Sequence, residues 1–395
     1  MIPFGELAPD VADLNTGVAN VANNVIPGIN SYNPMPSLEP SSNALTNPCK
    51  GAVTMKDEDS VNYIYAGDKL ALYNITGVTV TDYSKVGGYS DNTERWEFVK
   101  WENQVIASKL GDTPQVLTLG GTTFADLAGT PPQGKTVTVI RDFVALGNTF
   151  DGVNGNKPIR VQWSGFNDET QWTVGTNQSG FQDLEGSGGA IKKIVGGEYG
   201  TIFQELAIWR MTYVGTPLIF QFDEIESGKG AVTGGAVVKH GANIYYLSND
   251  GFYVLMNGTT SNPIGVNKID KWFWNDVNQS YLENITGALA PSQGFILWSY
   301  PSMDSSDGTP DKVIAYNYKT DRWATGDVGA QVVFTGADSG YTLEDLDAFG
   351  TVDTLTASMD SAVWKGGAFK ISAFNTDNKL SFFSGTPLSG TVETG

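Results

Sequence analysis

The chain has 395 residues, with 47 glycines, 17 prolines, 11% aromatic and only 17% charged residues, and 24 basic against 43 acidic side chains give a net charge of −19. That length buries a large core, and a glycine- and aromatic-rich, charge-poor composition favours many short strands joined by tight turns, because glycine reaches φ > 0 and aromatics pack on pleated surfaces. It excludes a tight nucleic-acid binder, which needs clustered Lys and Arg, and the single Cys49 excludes an internal disulfide and a cysteine-built zinc site.

Residues 1–50 read as an extended arm. Pro9, Pro27, Pro34, Pro36, Pro40 and Pro48 break a long helix or central strand, while Phe4, Ile26, Tyr32 and Leu38 provide apolar anchors for lying along another surface. No Lys or Arg precedes Lys50, so the basic start of a secretory signal is missing, and no apolar run approaches the roughly 18 residues of a membrane span. The expectation is a protein made in a cytoplasm, without a membrane span.

From residue 51 to 395 the pattern alternates with period two. Asn62–Tyr73, Trp96–Ala107 and Ile244–Leu255 read as hairpins, the last with an Asn249-Asp250-Gly251 signature of a primed turn. Similar runs around Tyr73, Val116, Val161, Phe220, Val254, Tyr316 and Phe382 recur at uneven intervals, several continuing to a tryptophan. Such units suit four-stranded blades that must pack radially, which predicts an all-β propeller of about six or seven blades; a pair of β-sandwiches is the rival. The acidic stretch Asp338–Asp360 reads as a short helix or a connector. The final residues, Ser384–Gly395, stop within a strand-like pattern, so either the last blade closes with a strand from elsewhere or further residues follow.

Chemistry-bearing residues are scattered. His240, the only histidine, lies where a strand runs into a turn and reads as a turn or inter-strand residue. Asp223, Glu224 and Glu226 fall at an expected strand end, and Asp304, Asp307 and Asp311 share a loop without the spacing of a known calcium loop. Gly186–Gly189 and Gly228–Gly230 lack phosphate-loop spacing. The sequons at Asn74, Asn177, Asn257, Asn278 and Asn284 read as ordinary turn composition. No catalytic, cofactor-binding or metal residue is assigned, and the chain is read as non-enzymatic with no cofactor.

Three phrases resemble a known group. Arg160-Val-Gln-Trp-Ser-Gly-Phe-Asn-Asp-Glu-Thr-Gln-Trp172 resembles "RV-WS--NDPT-W", departing at Asp168-Glu-Thr170 where a proline is usual. Leu247-Ser-Asn-Asp-Gly-Phe-Tyr-Val254 with Pro263-Ile-Gly265 and Lys268–Trp274 resembles "LS-DGFY…PIG…KVDRWFF". Trp298–Ser302, Thr309–Tyr318 and Asp321-Arg-Trp323 resemble "W-YPS…PDR-L-YN----RW", and the starts Pro3–Glu6 and Val25–Gly28 are also similar. The phrases are similar to those of tail nozzle, hub or tail-stabilisation β-propeller proteins of short-tailed double-stranded DNA bacteriophages.

The resemblance implies a virion structural protein in the phage tail, assembled in the host cytoplasm. It would form a homo-oligomeric ring of six below portal and adaptor, extend the DNA channel for ejection, and neighbour other tail proteins, including fibres or spikes. The alternative is a carbohydrate-binding or glycan-cleaving propeller at the host surface, with Trp163, Trp172, Trp272, Trp274, Trp298 and Trp323 stacking on sugars if exposed. For the ring, the negative charge predicts a channel wall of acidic loops rather than Lys50, Lys56, Lys192 or Lys193, past which DNA slides without being held.

Overall fold

A computed structural model describes residues 4–11, 17–29, 31–336 and 370–394. The protein is a β-propeller of seven blades, 53% strand and 5% helix. Blade one shows the plan: Gly51–Lys56, Asn62–Gly67, Leu72–Thr76 and Thr79–Asp82 form an antiparallel meander. Blades two to five repeat it over residues 97–126, 133–183, 191–227 and 238–263. Blade six occupies 286–326, and blade seven begins with Ala330–Gly336 and resumes at Lys370–Asn375 and Lys379–Pro387.

A twisted four-stranded sheet has two apolar faces and must cover both. Seven apolar clusters do this, each spanning two neighbouring blades. Trp101 and Ile106 of blade two meet Val144 and Leu146 of blade three, and Phe203 and Ile208 of blade four meet Tyr246 and Leu255 of blade five. The seventh cluster joins Phe334, Phe374 and Phe382 of blade seven to Ile64, Tyr73 and Ile75 of blade one. The ring is therefore closed, and the sandwich alternative is ruled out.

The arm differs from the expectation of a separate segment 1–50. Pro36–Ala44 is the outermost strand of blade seven, antiparallel to Lys379–Pro387. Ala19–Asn23 adds to blade six, parallel to Arg322–Gly326, and Thr391–Thr394 pairs outside it. Val25–Pro27 and Tyr32–Pro34 form a small hairpin. Prolines are tolerated because these strands lie at sheet edges, where a missing N–H costs no ladder bond. The apolar anchors thus dock on the chain's own blades: Ile26 and Leu38 pack against the cluster between blades six and seven, and Tyr32 against that between five and six.

The three expected hairpins all form, with one correction to the turn chemistry. Asn249 and Asp250 do not take positive φ; the primed turn sits one hairpin later, at Asn257 (φ 50°) and Gly258 (φ 64°), closed by the Thr259 N–H on the Met256 carbonyl. Gly251 (φ 147°) is needed for a different reason, since a Cβ there would collide with the Asp270 carboxylate. Asp270 opens the helix Asp270–Asp276, an element the alternating pattern does not reveal. The acidic stretch Asp338–Asp360 lies outside the described residues.

Candidate functional site

The innermost strands of six blades, and the segment before the first strand of blade five, surround an axial cavity of about 220 Å³. Its wall takes Gly51–Val53 from blade one, Arg95–Phe98 ahead of and within the first strand of blade two, Lys135 from blade three, and Lys192 and Lys193 from blade four. In blade five the usual first strand shortens to Val238–His240, and a tight turn at Gly234–Ala236 takes its place at the axis. Glycine is required there: a Cβ on Gly234 would overlap the Lys192 carbonyl, and one on Gly235 the Ile285 carbonyl. Glu283, on a 3-10 helix over Gln279–Asn284, reaches in between blades five and six, and Val332–Thr335 complete the wall from blade seven.

The wall is a charge network in a protein whose inter-blade layers are apolar. Lys193 Nζ lies 2.7 Å from Glu97 Oε1, and Lys192 Nζ lies 2.9 Å from Glu283 and 3.2 Å from Glu205. Lys135 sits 3.5 Å from Glu94 and 3.6 Å from Glu283 Oε2, which also accepts from the Thr233 hydroxyl at 3.1 Å. Burial works against the charge of Glu283, yet Lys135 and Lys192 hold its carboxyl below the usual range. Burial likewise opposes the charge on Lys192, and Glu283 and Glu205 outweigh it and raise its pKa. Arg95 has neither a hydrogen bond nor an ion pair among the described residues, and burial lowers its pKa.

The residues singled out in the sequence do not converge on this cavity, except Lys192 and Lys193. Those two, expected to be absent from a channel wall between subunits, are turned into the propeller's own axis and paired. His240 ends the inner hairpin of blade five opposite Asn243, its ring 4.6 Å from that of Tyr318. Asp223, Glu224 and Glu226 lie within, not at the end of, the outermost strand of blade four, Ile219–Ser227, and Asp223 accepts from Gln221. Asp311 holds the Ser302 N–H and hydroxyl, each at 2.7 Å, and Asp307 caps the Thr309 N–H, so these carboxylates brace their own loop. Cys49 is buried, its thiol pushed up to about 12 by burial. Among the described residues no three His, Cys, Asp or Glu side chains gather as a metal site, and no helix is long and apolar enough to cross a membrane. The site that sequence reasoning missed is Arg95 with Lys135 and Glu283. No local motif joins residues 95, 135 and 283; only the radial arrangement of blades brings them together.

The tryptophans have a shared role. Trp163, Trp172, Trp298 and Trp323 are buried, and each indole N–H donates to a backbone carbonyl, of Gln178, Glu169, Ala236 and Ile264 respectively. Trp272 and Trp274 are half-buried against the core between blades five and six. In the same phrases, Arg160 pairs with Asp183 through two bonds of 2.6 and 2.9 Å, and Gly265 faces Asp270 as closely as Gly251 does.

No family model and no curated protein matches the chain. Among solved structures, the chain is similar to the extracellular domain of the putative one component system BT4673 from B. thetaiotaomicron, at a TM-score of 0.50 and 10% identity. That match covers 87% of this chain and 39% of the other, so the chain spans about two fifths of that protein's length. The computationally designed Ika8 protein matches at a TM-score of 0.44 and 12% identity, over 92% of this chain and 100% of its own. At 10% identity the likeness to the BT4673 domain concerns the fold alone.

Proposed function

We propose that this chain is a non-enzymatic structural protein of a bacteriophage virion, a propeller that assembles into a ring in the tail. The observation that supports the reading most is the use made of the phrases shared with tail propellers. Trp163, Trp172, Trp298 and Trp323 fill joints between strands and blades, Arg160 clamps Asp183, and Gly251 and Gly265 make room for Asp270. These residues build blades and present no recognition surface. A sugar-binding propeller needs exposed aromatic faces, and burial removes four of the six indoles from that role.

In the ring, six copies would surround the DNA channel beneath portal and adaptor. Lys192 and Lys193 are engaged at each propeller's own axis, which leaves them out of a wall between copies. With −19 on each chain, such a wall repels phosphate and lets duplex DNA pass.

The test is the assembly state of the purified protein, by light scattering and negative-stain electron microscopy, with mass spectrometry of purified virions. A closed ring of six with an axial hole, present in particles and binding random duplex DNA weakly, is the expected result. A monomer that is absent from virions and binds defined glycans on an array overturns the reading in favour of the carbohydrate-binding alternative.

A further inference from the structure

We propose that the axial cavity of each propeller is a binding site for a small oxyanion of the phosphate class, with Arg95 as its principal ligand. The inference goes beyond the tail reading and does not depend on it.

The argument begins with the ion pairs. Four cations line the wall: Arg95, Lys135, Lys192 and Lys193. Two carboxylates, Glu97 and Glu283, line it with them, while Glu94 and Glu205 also contact Lys135 and Lys192. Every lysine is thereby matched, at 2.7 to 3.6 Å. Glu97 is held by Lys193 and accepts the Val137 N–H at 3.3 Å, and Glu283 is held by two lysines and Thr233, so both attract Arg95 without contacting it. Four carboxylates balance the four cations of the network, and Arg95, half-buried on the wall, is the one of those cations with neither a hydrogen bond nor an ion pair among the described residues, Glu97 and Glu283 attracting it from beyond contact. Lys50, close enough for the two charges to repel, has no carboxylate partner among the described residues either.

A partly desolvated, unpaired guanidinium costs free energy unless an anion meets it. Its planar fork of N–H donors matches two oxygens of phosphate or sulfate, with charge-assisted bonds roughly twice as strong as neutral ones. The cavity, about 220 Å³, accommodates such an ion with part of its hydration, since a water takes about 30 Å³. Lys135 and Lys193, each paired with glutamate, lie on the same wall, and Gly51, Gly234 and Gly235 let neighbouring backbone carbonyls close in around it. The carboxylates, already paired, restrict the site to one compact anion and disfavour a polyanionic chain.

Isothermal titration of the full chain with inorganic phosphate, at constant ionic strength set by chloride, tests the site. One saturable site per chain is expected, with affinity falling at least tenfold in Arg95→Gln and in Arg95→Lys, which keeps the charge but not the fork. Lys69→Gln, which removes the exposed Lys69–Asp91 pair, leaves the affinity unchanged. Absence of saturable binding by the wild-type chain up to about 20 mM phosphate overturns the proposal. Wild-type affinity in either folded Arg95 variant also overturns it, and if Arg95→Gln fails to fold, Arg95→Lys decides.

Discussion

Blades one to five are each contiguous in sequence, whereas blades six and seven are finished by strands from the other end of the chain. In blade two, Glu97–Trp101 meets Gln104–Ser108 across a two-residue turn. In blade seven, the Ser42 hydroxyl accepts from Leu380, 338 residues away. Closing a loop that long costs only about 2 kcal/mol more than closing a blade of 30 residues, because the cost grows with the logarithm of length. Long-range closure is therefore thermodynamically easy, and its consequence is topological: the joint between blades seven and one holds the ring shut. The contiguous blades owe their stability to turns and inter-blade packing; the borrowed strands make that packing a closed circle.

The largest effect should come from cutting that circle. Deleting residues 2–44 removes the outer strand of blade seven and uncovers Leu380 and Phe382. We expect loss of a cooperative thermal transition and aggregation on size exclusion, against the simpler expectation that the arm is dispensable for the body's fold. Deleting residues 2–17 leaves Pro36–Ala44 in place, and the ring should still melt cooperatively.

On the contiguous side, a comparable perturbation needs a collision. Gly251→Ala and Gly265→Ala each drive a methyl into the Asp270 carboxylate, at a position of positive φ in the first case. Each should cost about 3 kcal/mol in urea unfolding. A cost below about 0.5 kcal/mol would show that the joint between blades five and six yields more easily than its packing implies.

A smaller effect separates docking of the arm from closure of the ring. Arg322 donates to the carbonyls of Phe4 (2.8 Å), Gly5, Gly28 (3.4 Å) and Ile29 (3.0 Å), with its guanidinium 4.8 Å from the Tyr32 ring centre. Asp10 adds a cap on the helix Asp270–Asp276, accepting from the Lys271 and Trp272 N–H groups at 2.9 and 2.8 Å. Arg322→Lys keeps one charge and loses the fork, and should cost about 2 kcal/mol. Asp10→Ala should cost about 1 kcal/mol. In both, limited proteolysis should cut within the first 35 residues sooner than in wild type and leave the blades intact.

The same contrast explains what was legible in the sequence. Period-two alternation and turn residues are local, so the hairpins at Asn62–Tyr73, Trp96–Ala107 and Ile244–Leu255 could be read directly, and their repetition pointed to blades. The strand Pro36–Ala44 was hidden because its two prolines and polar residues make a poor strand in isolation; it forms because blade seven offers an edge. Gly251 was read as a turn residue when its need is set by Asp270, 19 positions on, a packing demand with no local trace. The axial network was beyond reach for the same reason: Arg95, Lys135 and Glu283 come together only through radial assembly. Large aromatics commonly fill joints between sheets, but no local signal in the sequence separates the four buried indoles from the half-buried Trp272 and Trp274.

The smallest expected effect compares two carboxylates that titrate in opposite senses, the buried Asp270 and the half-exposed Glu283. Asp270, at the joint of blades five and six, is raised to about 6 by burial, with the Phe252 N–H as its one compensating donor. Its folded pKa exceeds the ordinary 3.8, so its contribution is fully present below pH 3.8 and is lost as pH rises through 6. Glu283, at the axis, is the reverse: although burial opposes its charge, Lys135 and Lys192 depress its pKa, so its contribution holds above the ordinary 4.5 and fades as pH falls below it. Asp270→Asn should therefore gain on wild type by about 1–2 kcal/mol between pH 4 and pH 7, a figure reduced for the remaining solvent access. Glu283→Gln should lose on wild type at pH 7 and approach it as the pH falls below 4.5. Urea unfolding of both variants across this range gives the two slopes. Slopes of the same sign would mean that the axis and the blade joints do not differ electrostatically as their neighbours dictate: a carboxylate enclosed against Gly251 and Gly265 at one, and a carboxylate between two lysines at the other.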